Sequence, residues 1–135
     1  MASQGFRYTR RVQFSETDLA GIRHFCAFFR FMEEAEHALW RAAGPSIGAA
    51  EKTGGWPRVA AAFDYKRPLR FEDEFEVLLR IEAIAEKTIR YTCLITKDEM
   101  KIATGSLTIA CVSKRPNEPM KAVPIPPEIT SRLGF

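Results

Sequence analysis

The chain has 135 residues, 46% of them hydrophobic and 27% charged, a size and balance that fit one globular domain over residues 1–135. Its 20 Lys and Arg against 17 Asp and Glu give a formal net charge of +3, too small an excess for the basic stripe of a nucleic-acid binder and well matched to a small anionic ligand. Cys26, Cys93 and Cys111 form neither a metal-ligand spacing nor a disulfide framework, Met1–Arg11 lacks a signal-peptide core, and no run reaches the ~18 apolar residues of a membrane span.

Phe6 to Phe14 alternates, with Phe6, Tyr8, Val12 and Phe14 on one side and Arg7, Thr9, Arg11 and Gln13 on the other, which predicts a half-buried strand. A polar turn, Ser15–Gly21, follows. Phe25, Phe28, Phe29, Met32, Ala35, Leu39, Trp40 and Ala43 keep the 3.6-residue period and predict a helix over His24–Ala43. Gly44-Pro45 stops it. Ser46–Gly55 is expected to be a loop or a short irregular helix. From Trp56 the period changes to two. Four strands are expected, Arg58–Arg67, Glu74–Ala85, Thr88–Lys97 and Lys101–Ser113, with tight turns at Ala85-Glu86-Lys87 and Asp98-Glu99. The tail Arg115–Pro127 carries five prolines and is expected to run extended over the surface. One strand, one long helix and four antiparallel strands make an α+β domain, its sheet curled around the helix that covers it. The uncovered sheet face and edges predict a homodimer or homotetramer.

The turn before the helix draws the chemistry. Glu16, Asp18 and Gly21 lie just upstream of a helix N-terminus, where backbone N–H groups and a partial positive charge can polarise a carbonyl. A carboxylate beside such a carbonyl can attack it or activate a water, and Gly21 lets the backbone approach a ligand closely. Taken alone, the same pattern also reads as an acidic N-cap on a structural helix.

A resemblance separates the two readings. Phe14, Glu16, Asp18 and Gly21 follow an aromatic–acid–Asp–Gly motif, Arg30-Phe31-Met32-Glu33-Glu34 continues the helix, Tyr65-Lys66-Arg67-Pro68 precedes an acidic Glu72-Asp73 turn, and Val123-Pro124-Ile125-Pro126 lies near the end. In this order and over nearly the full length, the sequence resembles the hot-dog-fold acyl-CoA thioesterases of the 4-hydroxybenzoyl-CoA thioesterase type. The resemblance implies a five-stranded antiparallel sheet wrapped around one central helix. It implies hydrolysis of an acyl-CoA to a carboxylic acid and CoA without cofactor or metal. Asp18 would be nucleophile or general base, the backbone N–H of Phe25 would polarise the thioester carbonyl, and the site would lie at a dimer interface. The sequence departs from the family at His24-Phe25-Cys26-Ala27-Phe28, where relatives carry an Asn that is here Ala27 and a His one position away.

His24 is a candidate for orienting water or touching substrate, the alternative being an exposed residue at the helix start. Glu16 either orients the loop or faces solvent. Glu36 lies near the apolar stripe, where another hot-dog branch places a helix carboxylate; the alternative is a paired surface acid. His37 is expected to be solvated and the cysteines to be packing residues. CoA phosphates call for cations, for which Lys66-Arg67 and Lys114-Arg115 are candidates. The competing functions are a non-catalytic acyl-CoA binding module and a hot-dog hydratase or dehydratase. The expected setting is the cytoplasm, with neither membrane nor nucleic acid as partner.

Overall fold

The computed structural model describes residues 5–18, 25–44, 54–113 and 116–133. Five strands form one antiparallel sheet: β1 (Phe6–Arg11), β3 (Arg58–Tyr65), β4 (Glu74–Ile84), β5 (Thr88–Lys97) and β6 (Met100–Ala110), in the order β1-β4-β5-β6-β3. One continuous row crosses it, Phe6 opposite Leu79, Leu79 opposite Cys93, Cys93 opposite Gly105 and Gly105 opposite Phe63. The expected alternation is met most cleanly in β4, where Phe75, Val77, Leu79 and Ile81 are buried between polar or half-exposed neighbours. Asp98 and Glu99 turn β5 into β6 with positive φ at both residues, the conformation that lets a two-residue hairpin match the twist of its strands.

The helix α1 (Ala27–Ala43) lies against this sheet. Phe28, Phe31, Met32, Ala35 and Trp40 are buried on its inner face, and the Phe31 ring stacks on Phe75 at 4.5 Å. Each such large side chain removed from water contributes roughly 1.5–3 kcal/mol. Gly44 ends the helix at φ 131°, its N–H reaching the carbonyls of Trp40 and Arg41. A side chain there would also meet the Arg132 guanidinium at 2.6 Å.

Several sequence expectations are corrected. α1 begins at Ala27 rather than His24, and Phe25 stands 59% exposed in the entry turn; its apolar character extends the helical pattern without making it helical. β1 ends at Arg11, and Phe14 lies in a 3-10 turn (Phe14–Glu16), 74% exposed and edge-on to Phe71. Cys26 is exposed, whereas Cys93 and Cys111 are buried. The last predicted strand breaks at Cys111. β7 (Val112–Ser113) leaves the main sheet and pairs with β2 (Gly54–Gly55) and β8 (Lys121–Ala122). The Pro-rich tail is therefore anchored rather than merely laid over the surface. Val123 and Ile125 donate backbone hydrogen bonds to Cys111 and Glu86, and Ile125 is buried. A short helix, α2 (Pro127–Arg132), follows with Pro127 in its first turn, and buries Ile129.

Glu36 is not a surface acid. It is fully buried, paired through both carboxylate oxygens with Arg58 at the start of β3, beside the Tyr91 hydroxyl, which accepts the Trp40 Nε1–H at 2.8 Å. Burial raises the Glu36 carboxyl above its ordinary range, against the pull of Arg58. Burial also pushes the Tyr91 phenol up, helped by the charge of Glu36. Together these groups tie α1 to β3 and β5. His37 is half-buried rather than solvated.

Candidate functional site

The turn that carries Asp18 is fixed from below by Glu16. This residue is 4% exposed, and its Oε1 accepts the Gln13 N–H at 2.8 Å and Arg10 Nη1 at 2.7 Å. Arg10 extends the tie to the helix. Its Nε pairs with Glu34 at 2.7 Å, its guanidinium lies 4.3 Å over the Phe31 ring, and Tyr8 donates to the same Glu34 oxygen. A buried carboxylate is tolerated because it is paired and hydrogen-bonded. Glu16 therefore orients the loop, the first of its two sequence readings. Asp18, two residues later, is exposed.

Asp18 opens onto a cavity of ≈ 430 Å³, lined also by Phe25, Phe28, Tyr65, Lys66, Arg67, Pro68 and Leu69. Three stretches of sequence meet here: the acidic turn, the entry to α1 and the end of β3 with the residues after it. Asp18 is the one carboxylate among the described lining residues. The N-cap residue of α1 is Cys26, which supplies no side-chain capping bond. The wall opposite is apolar. Phe28 meets the Tyr65 ring edge-on at 5.0 Å, Phe63 stacks on Tyr65 at 6.1 Å, and Phe29 stands edge-on to Phe63 at 5.2 Å. The Tyr65 hydroxyl donates to the Phe25 carbonyl at 3.0 Å. Lys66 and Arg67 are exposed at the rim, and Arg67 is steadied by Nη1 bonded to the Lys101 carbonyl at 2.9 Å. The arrangement offers one acid, a helix start, an apolar wall and two cations around one volume.

Of the residues marked in the sequence, Asp18, Phe25, Lys66 and Arg67 converge. Gly21, His24, Lys114 and Arg115 lie outside the described residues. Glu36, held by Arg58 under the sheet, does not line this cavity. Among the described residues no group of three His, Cys, Asp or Glu is placed to hold a metal ion, and no helix is long and apolar enough to cross a membrane. Trp56 is buried edge-on against Trp40 and does not line this cavity. The hydrogen bond of Tyr65 was not anticipated. Its sequence signals are a tyrosine at the end of a strand otherwise rich in alanine and the place of Tyr65 in the Tyr65-Lys66-Arg67-Pro68 match, neither of which names a partner.

The profile of the Thioesterase-like superfamily matches residues 12–133. A 1,4-dihydroxy-2-naphthoyl-CoA hydrolase of Synechococcus elongatus is 25% identical over 113 residues, covering 82% of this chain and 83% of its own. The crystal structure of a hypothetical protein from Aquifex aeolicus superimposes with a TM-score of 0.88 at 32% identity, covering 95% of this chain and 98% of that one. The structure of the gentisyl-coenzyme A thioesterase BH1999 superimposes with a TM-score of 0.82 at 26% identity, covering 92% and 98%.

Proposed function

The chain belongs to the Thioesterase-like superfamily, and from that premise we propose that it hydrolyses an acyl-CoA thioester to a carboxylic acid and CoA at the cavity around Asp18. The observation that carries this reading is the placement of one carboxylate and the start of α1 on the same cavity. The thioester carbonyl sits between them. The backbone N–H of Phe25 donates to its oxygen, and the charge that develops there is met by the positive end of α1. Asp18 either attacks the carbonyl carbon, forming an anhydride that water then opens, or takes a proton from the attacking water. In both routes the carbon–sulfur bond breaks, the CoA sulfur leaves and takes up a proton, and the acid gains one oxygen, from water directly or, where water opens the anhydride at Asp18, from the Asp18 carboxylate that water then restores.

The acyl group lies against Phe28 and Tyr65. Both named relatives act on aromatic acyl-CoAs, and an aromatic wall favours a flat ring edge-on or stacked. Lys66 and Arg67 take the CoA phosphates at the rim, with Lys114 and Arg115 as further candidates. Gly21 and His24 complete the proposed site by their place in the sequence. The working form is a homodimer or homotetramer joined along β3, and the buried thiols of Cys93 and Cys111 suit the reducing cytoplasm.

The test is a panel of acyl-CoAs with thiol release as the readout. Wild type turns over at least one, with kcat/KM higher for aromatic than for straight-chain acyl groups of similar size. Asp18→Asn lowers kcat by at least ~100-fold with an unchanged melting temperature. Full turnover in that variant removes Asp18 from the chemistry. Formation of an enoyl thioester without thiol release replaces hydrolysis by hydration chemistry.

A further inference from the structure

Tyr65 is the last residue of β3, an edge strand, and its side chain reaches across the cavity mouth to the turn that leads into α1. Two donors converge on the Phe25 carbonyl there. The Tyr65 hydroxyl stands at 3.0 Å and the Phe28 N–H at 3.3 Å. The second is at the long end for an N–H···O bond, so the hydroxyl is the stronger of the two. Fixing this carbonyl fixes the Phe25–Cys26 peptide plane. The Phe25 N–H is joined to that plane through the φ and ψ of one residue, so holding the plane narrows the directions open to it. An electrostatic donor helps a reaction in proportion to how little it must reorient when charge develops.

On the hydrolase reading above, we infer that Tyr65 is a positioning residue: its hydroxyl locks the Phe25 backbone so that the adjoining N–H is preset toward the thioester oxygen. The Tyr65 hydroxyl acts through Phe25 and not on the substrate, because its one hydrogen is spent on the Phe25 carbonyl. The ring has a separate task. It packs on Phe28 and Phe63, and that contact survives loss of the hydroxyl. The two contributions are thus separable by substitution.

Tyr65→Phe keeps the ring and removes the lock. It is expected to lower kcat by about tenfold or more, less than deletion of an oxyanion donor itself, with KM within about twofold of wild type and Tm within about 2 °C. Replacing Tyr65 by 4-aminophenylalanine, which restores a donor at the same place, brings kcat back toward wild type. Amide exchange in a peptide spanning residues 25–28 quickens about fivefold in Tyr65→Phe, as expected for loss of one net hydrogen bond. Unchanged kcat in Tyr65→Phe, unchanged exchange, or a kcat loss that comes only with a matching fall in Tm overturns the inference while leaving the hydrolase reading intact. Absence of turnover by the wild type on every acyl-CoA overturns the hydrolase reading, and the positioning role falls with it.

Discussion

The carboxylate of Asp73 accepts the Arg70 backbone N–H at 2.7 Å and the Lys97 ammonium at 2.9 Å. It closes the turn between the cavity's Leu69 and the first residue of β4, and it ties that turn to the end of β5. Burial pushes its pKa up, but the Arg70 amide and Lys97 stabilise the ionised form more, and the net shift is downward. A folded-state pKa below the unfolded value near 3.9 means stability that is complete above that value and lost as pH falls through the folded pKa. Asp73→Asn keeps the shape and removes the charge. It should cost about 1 kcal/mol at pH 7, and thermal melts should show the gap to wild type closing below about pH 4. A gap that stays constant down to pH 2.5 would mean that the charge of Asp73 contributes nothing. Glu16 repeats the principle closer to the site, as an acid whose value lies in the loop it holds.

Among the elements, the edge between β6 and β3 sets the shape of the cavity wall. Gly105 faces Phe63 across the pair, and a Cβ on Gly105 would stand 2.7 Å from the Phe63 ring and 2.9 Å from the Ala62 carbonyl. The ring thus lies over the glycine, where it can meet Phe28, Phe29 and Tyr65. Gly105→Ala must push Phe63 away or bend β3. The expected cost is roughly 1–3 kcal/mol of stability, together with a raised KM as the wall loses its support, read from melts and acyl-CoA kinetics. Wild-type values in both would show that β3 absorbs the methyl without strain. This pairing also marks the reach of the sequence. β1, β4 and β5 were legible because more and less buried positions alternate along them, and α1 because its apolar residues keep one face. What stayed hidden was the meeting of Asp18 with Tyr65. The two are far apart in sequence, and they line one cavity although β1 and β3 form opposite edges of the sheet, a meeting that no local pattern encodes. The break at Cys111 was hidden for a similar reason, since local pattern cannot tell one sheet's strand from the next.

At the scale of the whole molecule, the two edges of the main sheet differ in kind. β1 presents Arg7 and Arg11 in ion pairs with Glu76 and Glu74 of its neighbour, and charged side chains along an edge discourage another strand from adding there. β3 presents Val59, Ala60, Ala61 and Ala62, all exposed, with Val59 at 58% beside a break in register. Small apolar residues on an unguarded edge invite a second backbone, and a two-fold axis would pair β3 with β3 of a partner subunit. That pairing sets a second copy beside the mouth of the cavity, because Tyr65 ends the same strand. Val59→Lys adds to this edge the kind of charge that guards β1. In a monomer so exposed a substitution is nearly neutral, so any large effect reports assembly. Sedimentation should find wild type at a multiple of the chain mass and Val59→Lys shifted toward a single chain at micromolar concentration, with turnover falling as the assembly is lost. If Val59→Lys keeps the wild-type mass and activity, the partner does not sit on β3, and the open side of the cavity faces water rather than another subunit.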